Sequence, residues 1–504
     1  MAGAQEAPRW RLERIPTGIP NLDRVIGGGL SQGDLALVVG GPGSGKTVLA
    51  AQMAFHWAAQ GRRVLWLVTL GESNEKFLAH LSEMSFFDRR QVGVTFHLVN
   101  VSRFLPQGLQ EQLAVIRQTV RSGDYGFVVI VGFQSFRGFL AGENEVRQFL
   151  SELGAELALG GITLLVTADA GPDRNCQSPE FTIADCFIGL DRDLVRGYEH
   201  RRLQVLKLRG REAIGGWHAF SVDSTGVRVH PRIESVLAPA EVTPAAERQA
   251  MGVPGLDRLL DGGLLQGTTT LIAGSPGTGK GFLADHFLAE GLQQSQPCLH
   301  TCFVEPPTDL LARAERFGLP LRDGQARGLL HVGACSPTRY DADECAEHVV
   351  EAIEAHGIRR LVLEGVGPLL EDLAASGRTL GYLAALSGHL RAHSVTAVLT
   401  YDLPQLFSGE VSLPAPALGQ AVANLILLRF AEMEGRVRRM LTIVKTGYTY
   451  HRPVVAEMLL EEGALHVVPH PQVRERKAES APYYAEQVTQ HEGERLRPEQ
   501  RLRP

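Results

Sequence analysis

Residues 18–46 read GIPNLDRVIGGGLSQGDLALVVGGPGSGK, and residues 252–280 read GVPGLDRLLDGGLLQGTTTLIAGSPGTGK. Aligned without gaps, the two share sixteen of twenty-nine positions at an offset of 234 residues. That period is far too long for a solenoid repeat, so the chain is a tandem pair of whole domains. The first domain is expected over residues 10–235 and the second over 249–470. Residues 236–248 (VLAPAEVTPAAER) carry two prolines and small side chains and read as the linker. Residues 471–504 are dense in mixed charge and poor in aliphatics, which predicts a disordered tail with no core of its own.

Outward from the quoted stretch, short apolar runs alternate with helical patterns. In the first domain the runs are Leu35–Val39, Val64–Thr69, Phe127–Val131, Ile162–Thr167 and Leu203–Leu208. Their counterparts are Thr269–Ala273, Leu299–Phe303, Leu361–Leu363, Ala397–Thr400 and Met440–Val444. Uninterrupted apolar strands separated by helices predict an α/β fold, a mostly parallel sheet covered on both faces.

The end of each quoted stretch carries chemistry. Gly40, Gly41, Pro42, Gly43, Ser44, Gly45, Lys46 and Thr47 follow a predicted strand and open a helix (VLAAQMAFHWAAQ), the context of a phosphate-binding loop. Glycines let backbone N–H groups fold around phosphate oxygens, and the helix start adds its positive dipole. Lys46 is placed to reach the β- and γ-phosphates of ATP, and the Thr47 hydroxyl to ligate Mg²⁺. The second loop is Gly274, Ser275, Pro276, Gly277, Thr278, Gly279, Lys280 and Gly281. It keeps the glycines and the lysine, but Gly281 has no hydroxyl to offer a metal.

Composition narrows the alternatives. A net charge of −6 argues against a protein that coats nucleic acid. Six cysteines are too sparse for a disulfide scaffold, and Cys298 and Cys302 read as buried free thiols. With no run of ~18 apolar residues and no signal-peptide pattern, the chain reads as cytoplasmic and without membrane contact. No HExxH or GxSxG arrangement occurs. Only six lysines stand against forty-four arginines, at 46, 76, 207, 280, 445 and 477. Four of the six form matched pairs between the repeats, 46 with 280 and 207 with 445. An ammonium does not substitute for a guanidinium, so lysine is spared where geometry demands it.

The paired loops and their leaders, TGIPNLDRVIGGGLSQG and MGVPGLDRLLDGGLLQG, resemble those of the KaiC family of circadian-clock ATPases over roughly residues 10–470. The resemblance implies two tandem RecA-like P-loop domains, each a mostly parallel sheet flanked by helices. It also implies ATP and Mg²⁺ as ligands, ATP at subunit interfaces, a homo-oligomer that is commonly a hexameric double ring, and an unassigned regulatory protein partner.

Four further places carry the comparison. The family commonly has two adjacent Glu after the second strand. Here Glu72 and Glu305 each stand alone, behind Gly71 and Val304, as the candidate catalytic carboxylates. The acid that ends the third strand and helps hold Mg²⁺ is replaced by Val131 in the first domain and answered by Glu364 in the second. The Lys and Arg that reach a neighbouring subunit's nucleotide match Lys207 and Arg209, and in the second domain Lys445 alone, with Gly447 at the Arg position. The autophosphorylated Ser-Thr pair falls on Gly419 and Gln420, which cannot accept phosphate, and Ser408 and Ser412 are out of register. Autokinase activity is therefore not expected.

The expected function is an ATP-binding protein of nucleotide-dependent oligomers, a slow ATPase or regulatory scaffold, with hydrolysis favoured in the first domain. The alternative is a RecA-type DNA recombination or repair ATPase, which needs basic or aromatic loops on the DNA side. The loop 171–185 carries only Arg174, and 402–424 carries neither Lys nor Arg, so DNA is not the expected partner.

Overall fold

The structure, a computed structural model, describes residues 13–68, 74–169, 178–195, 198–237, 246–336, 341–403, 416–447, 455–461 and 464–469. The chain forms two compact units. One comprises Met1–Glu241 with Cys335–Gly357 and Pro368–His389; the other comprises Val242–Ala334, Ile358–Gly367 and Leu390–Pro504. The predicted tail lies outside the described residues.

The sheet of the first unit has nine strands: β1 Leu35–Gly40, β2 Arg63–Val68, β3 Phe96–Asn100, β4 Tyr125–Ile130, β5 Thr163–Asp169, β6 Cys186–Val195, β7 Tyr198–Leu208, β8 His218–Asp223 and β9 Gly226–His230. Their order across the sheet is β3-β2-β4-β5-β1-β6-β7-β8-β9. From β3 to β6 all neighbours run parallel; β6 to β9 form an antiparallel extension. The sheet of the second unit comprises β10 Thr269–Gly274, β11 Cys298–Cys302, β12 Leu330–Ala334, β13 Arg360–Glu364, β14 Thr396–Asp402, β15 Asn424–Met433, β16 Arg436–Lys445, β17 Val455–Glu461 and β18 Ala464–Pro469. Its order, β12-β11-β13-β14-β10-β15-β16-β17-β18, repeats the first strand for strand. These are tandem RecA-like α/β units, as the duplicated sequence predicts.

The reason for the parallel core is visible along β1. All six residues are buried, and alternate side chains enter different clusters. Ala36 and Val38 pack with Leu49, Met53 and Trp57 on one face, while Leu35, Leu37 and Val39 join Phe133, Phe149 and Leu153 on the other. A strand with two buried faces has no place for polar alternation. Helix α1, Lys46–Ala59, is apolar nearly all round and is correspondingly buried from Leu49 to Phe55. Its counterpart α2, Lys280–Gln293, buries Phe282, Leu283, Phe287, Leu288 and Leu292, and with them two charged residues, Lys280 and Asp285.

Candidate functional site

Each central strand delivers the chain to a glycine loop, and each loop starts a helix. In the first unit Gly43 and Gly45 have φ of 74° and 102°; in the second Gly277 and Gly279 have 80° and 100°. Left-handed backbone at those two steps turns successive N–H groups inward, and a side chain there would be strained. Gly45 and Gly279 occupy the N-cap positions of α1 and α2, and no side chain caps either helix. The first-turn N–H groups are thus left for an outside acceptor. Gly41, Pro42 and Gly43 are exposed. The loop is an open cradle whose chemistry suits phosphate.

The loop lysines are engaged alike, each by loop carbonyl oxygen and a strand-end aspartate. Lys46 Nζ donates to Gly40 O at 2.9 Å and Gly41 O at 2.8 Å, and lies 2.8 Å from Asp169 Oδ1. Lys280 Nζ donates to Ser275 O at 2.9 Å and lies 2.6 Å from Asp402 Oδ1. Strand register explains the match: Asp169 stands beside Gly40 across β5–β1, and Asp402 beside Gly274 across β14–β10. These aspartates escaped the sequence reading. Their signal was a shared strand ending, Thr-Ala-Asp at 167–169 and Thr-Tyr-Asp at 400–402.

Two arginines that the sequence reading also passed over lean on the first loop. A Cβ built on Gly43 would meet Arg192 Nη1 at 2.7 Å, and one on Gly45 would meet Arg201 Nη1 at 3.6 Å. Arg192 (β6) and Arg201 (β7) are register partners, and both pair with Glu199. In the second unit Arg439 on β16 donates from Nε to Gly277 O at 3.4 Å, while Phe430 lies against Gly277.

The residues expected to act across an interface fold back within their own unit. Lys207 Nζ donates to Thr182 O at 2.7 Å, at the end of the short helix Pro179–Ile183. Burial and the adjacent Arg209 hold this ammonium below its ordinary pKa. Arg209 pairs with Asp185 at 2.9 Å. Lys445 Nζ repeats the pattern, donating to Gly419 O at 2.9 Å and Val422 O at 2.8 Å around the helix Pro416–Ala421. A cation on helix-end carbonyls satisfies acceptors that the helix cannot. Gly419 and Gln420 lie on that helix. Glu72, Arg174, Ser408 and Ser412 lie outside the described residues.

The two units differ most where a divalent cation is expected. In the first, Thr47 stands on the opening turn of α1, and β4 leads into apolar Val131. The hydroxyl share of Mg²⁺ coordination is present and the carboxylate share from that strand is not. In the second unit the space is filled. Helix α3, Pro307–Arg316, sends Arg313 toward the loop. Its Nη2 donates to Glu364 Oε2 at 2.9 Å and to Asp285 Oδ1 at 3.1 Å, its Nε to Asp285 Oδ2 at 2.7 Å, and its Nη1 to Glu305 Oε2 at 3.2 Å. His300 Nε2 donates to Glu364 Oε2 at 2.9 Å. Burial would raise the Glu364 carboxyl, but the His300 hydrogen bond and the Arg313 charge hold it at about 2. Burial dominates at Asp285 and pushes it up to about 6. A Cβ on Gly281 would stand 2.3 Å from Glu364 Oε1 and 3.2 Å from the Arg313 guanidinium. The residues around the second loop do not fit Mg²⁺.

The KaiC ATPase family model matches residues 15–234 and again 250–472. The chain is 25% identical to the circadian clock protein KaiC2 of a Synechocystis species, over 91% of its own length and 82% of the relative's. It is 22% identical to the circadian clock oscillator protein KaiC of Parathermosynechococcus lividus, over 90% and 84% of the two chains. With the KaiC of Prochlorococcus marinus it shares 22% identity over 92% and 94%. Both glycine loops and both copies of the sheet fall inside the matched segments. This chain is a nucleotide-binding protein and belongs to the KaiC family of ATPases.

Proposed function

We propose that the first glycine loop binds ATP with Mg²⁺, that the second binds nucleotide, and that this binding drives assembly into homo-oligomers acting as a slow ATPase or a nucleotide-gated scaffold. The observation that carries this reading is the duplicated cradle. Two loops with the same left-handed glycines, uncapped helix starts and aspartate-paired lysines persist in units whose surrounding acids have diverged. In the first unit Lys46 would exchange Asp169 for phosphate oxygens, Arg192 and Arg201 would face the phosphate chain, and Thr47 would hold the metal. Bound Mg²⁺ would neutralise developing phosphate charge. Glu72 is the carboxylate assigned to water in the first unit, and Glu305, tied to Arg313, is poorly placed for that role in the second. Hydrolysis is therefore assigned to the first unit. Lys207 and Arg209, and Lys445 in the second unit, would reach a neighbouring copy's phosphates by leaving their helix-end carbonyls. A clock cycle of the kind named for the relatives is not proposed, because Gly419 and Gln420 carry no hydroxyl.

Light scattering with and without ATP–Mg²⁺ tests the assembly. The wild type should grow from a small species to a ring-sized one on nucleotide addition, and Lys46→Ala should not. Full-size rings in nucleotide-free protein would end the proposal.

A further inference from the structure

The second loop lacks the hydroxyl that the first keeps, and this difference is accompanied by three others around the same point. At the 234-residue offset, Thr47 becomes Gly281 and Ala51 becomes Asp285. Val131 ends the equivalent strand where Glu364 stands in the second unit. Counting from Glu72 and Glu305, the position of Arg313 falls on His80 in the first unit. So Arg313, Asp285 and Glu364 form a set with no counterpart in the first unit, brought together from α3, α2 and β13.

From this set we infer that the Arg313 guanidinium is the resident cation of the second loop, and that this loop holds a nucleoside phosphate without a divalent metal. The proposal rests on the reading of the second loop as a nucleotide site. The geometry is specific. The side chain after the loop lysine is where a metal-ligating hydroxyl would project, and there the guanidinium and a carboxylate oxygen already stand. The strand-end carboxylate that would face a metal is donated to by Arg313 Nη2 and His300 Nε2. Asp285 is fully buried and chelates the guanidinium through both oxygens, which fixes it in the site. A divalent ion would have to displace a cation from two buried carboxylates, and removing one partner of such a pair leaves an uncompensated charge. Arg313 has five N–H donors, of which one Nη1 hydrogen is left after the four contacts described. Phosphate oxygens would find Lys280, the loop N–H groups and the α2 dipole, none of which needs a metal.

Equilibrium dialysis of full-length Lys46→Ala protein against radiolabelled ADP and ATP tests this, with Lys46→Ala/Lys280→Ala as the blank. Affinity measured in excess EDTA should lie within about twofold of affinity in Mg²⁺. A tenfold or greater loss on chelation would overturn the inference while leaving the second loop a nucleotide site. No binding above the blank in either condition would overturn both the inference and that underlying reading. A second variant, Lys46→Ala/Arg313→Gln with its fold checked by circular dichroism, should make binding sensitive to EDTA; a variant that stays indifferent to chelation would show that Arg313 is not the cation responsible.

Discussion

The loop lysines are held by aspartates that nucleotide would displace under the proposed function, and this makes Asp169→Asn an informative change. The Lys46 side chain is 11% exposed, and its Nζ lies 2.8 Å from an Asp169 side chain that is 54% exposed. A charged hydrogen bond in a buried setting is worth about 1.5–3 kcal/mol, and an exposed ion pair about 0.2–1 kcal/mol. One partner here is buried and the other is half in water, so about 1 kcal/mol is the appropriate scale. Releasing that restraint should tighten ATP binding about fivefold. Loss of a negative charge near the phosphates acts in the same direction, so fivefold is closer to a floor. Titration in a Lys280→Ala background reads the first loop alone. The gain should shrink as salt rises, because screening weakens the pair that the wild type must break. Unchanged or weaker binding by Asp169→Asn would refute the reasoning, and would point to the carboxylate as a direct contributor to the bound complex.

Two further outcomes follow from the same geometry. Lys207→Ala should lower stability in urea unfolding by about 1 kcal/mol, since the carbonyls ending Pro179–Ile183 lose the ammonium and Thr182 O keeps only the 3.2 Å contact from Arg209 Nη2; unchanged stability with impaired nucleotide-driven assembly would place the ammonium in another copy's site instead. Glu364, held at about 2 against an ordinary 4.5, contributes stability that is present above pH 4.5 and lost as pH falls toward 2. The full span is about 3 kcal/mol. Asp285, raised to about 6, works in the opposite sense between pH 3.8 and 6. The stability gap between wild type and Glu364→Gln should therefore be followed below pH 4, where it should narrow; a gap that widens with acid would be inconsistent with a carboxylate held ionised by Arg313 and His300.

Much of this architecture is written locally. The repeat at offset 234 announces two equal units, and the inner strands are legible because both faces are buried, as LALVV in β1 shows. Other strands are not. Phe96–Asn100 is only partly buried beyond its first residue, and Cys186–Val195 turns from CFIGL to DRDLV as it leaves the core. A strand with one wet face or one charged half has no continuous apolar signal. The site divides the same way. Glycines, lysine and threonine lie within eight consecutive residues, so their geometry follows from the loop itself. Asp169 reaches Lys46 only through the β1–β5 register, and Arg313 reaches Asp285 and Glu364 only because three elements meet. Asp285 also gave a hint: a carboxylate inside the apolar run GFLADHFLAEG must find a cation somewhere.

The duplication lets one unit serve as a control for the other. Both retain the lysine and its aspartate, so whatever selects for phosphate contact and for its restraint has acted on both. They part at the position after the lysine, and there the changes are correlated. The first unit keeps a hydroxyl, with apolar Ala51 and Val131 at the positions that answer to Asp285 and Glu364, and under the proposed function it would take its cation from solution. The second replaces the hydroxyl with glycine and supplies both a guanidinium and the carboxylates that fix it. A loop decaying without constraint would not commit four guanidinium N–H groups to three carboxylates, because burying charge is unfavourable unless each member is paired. Under the proposed function the second loop is rebuilt for holding rather than worn out for turnover, with the first unit as the place where nucleotide state would change and the second as the place where it would be kept.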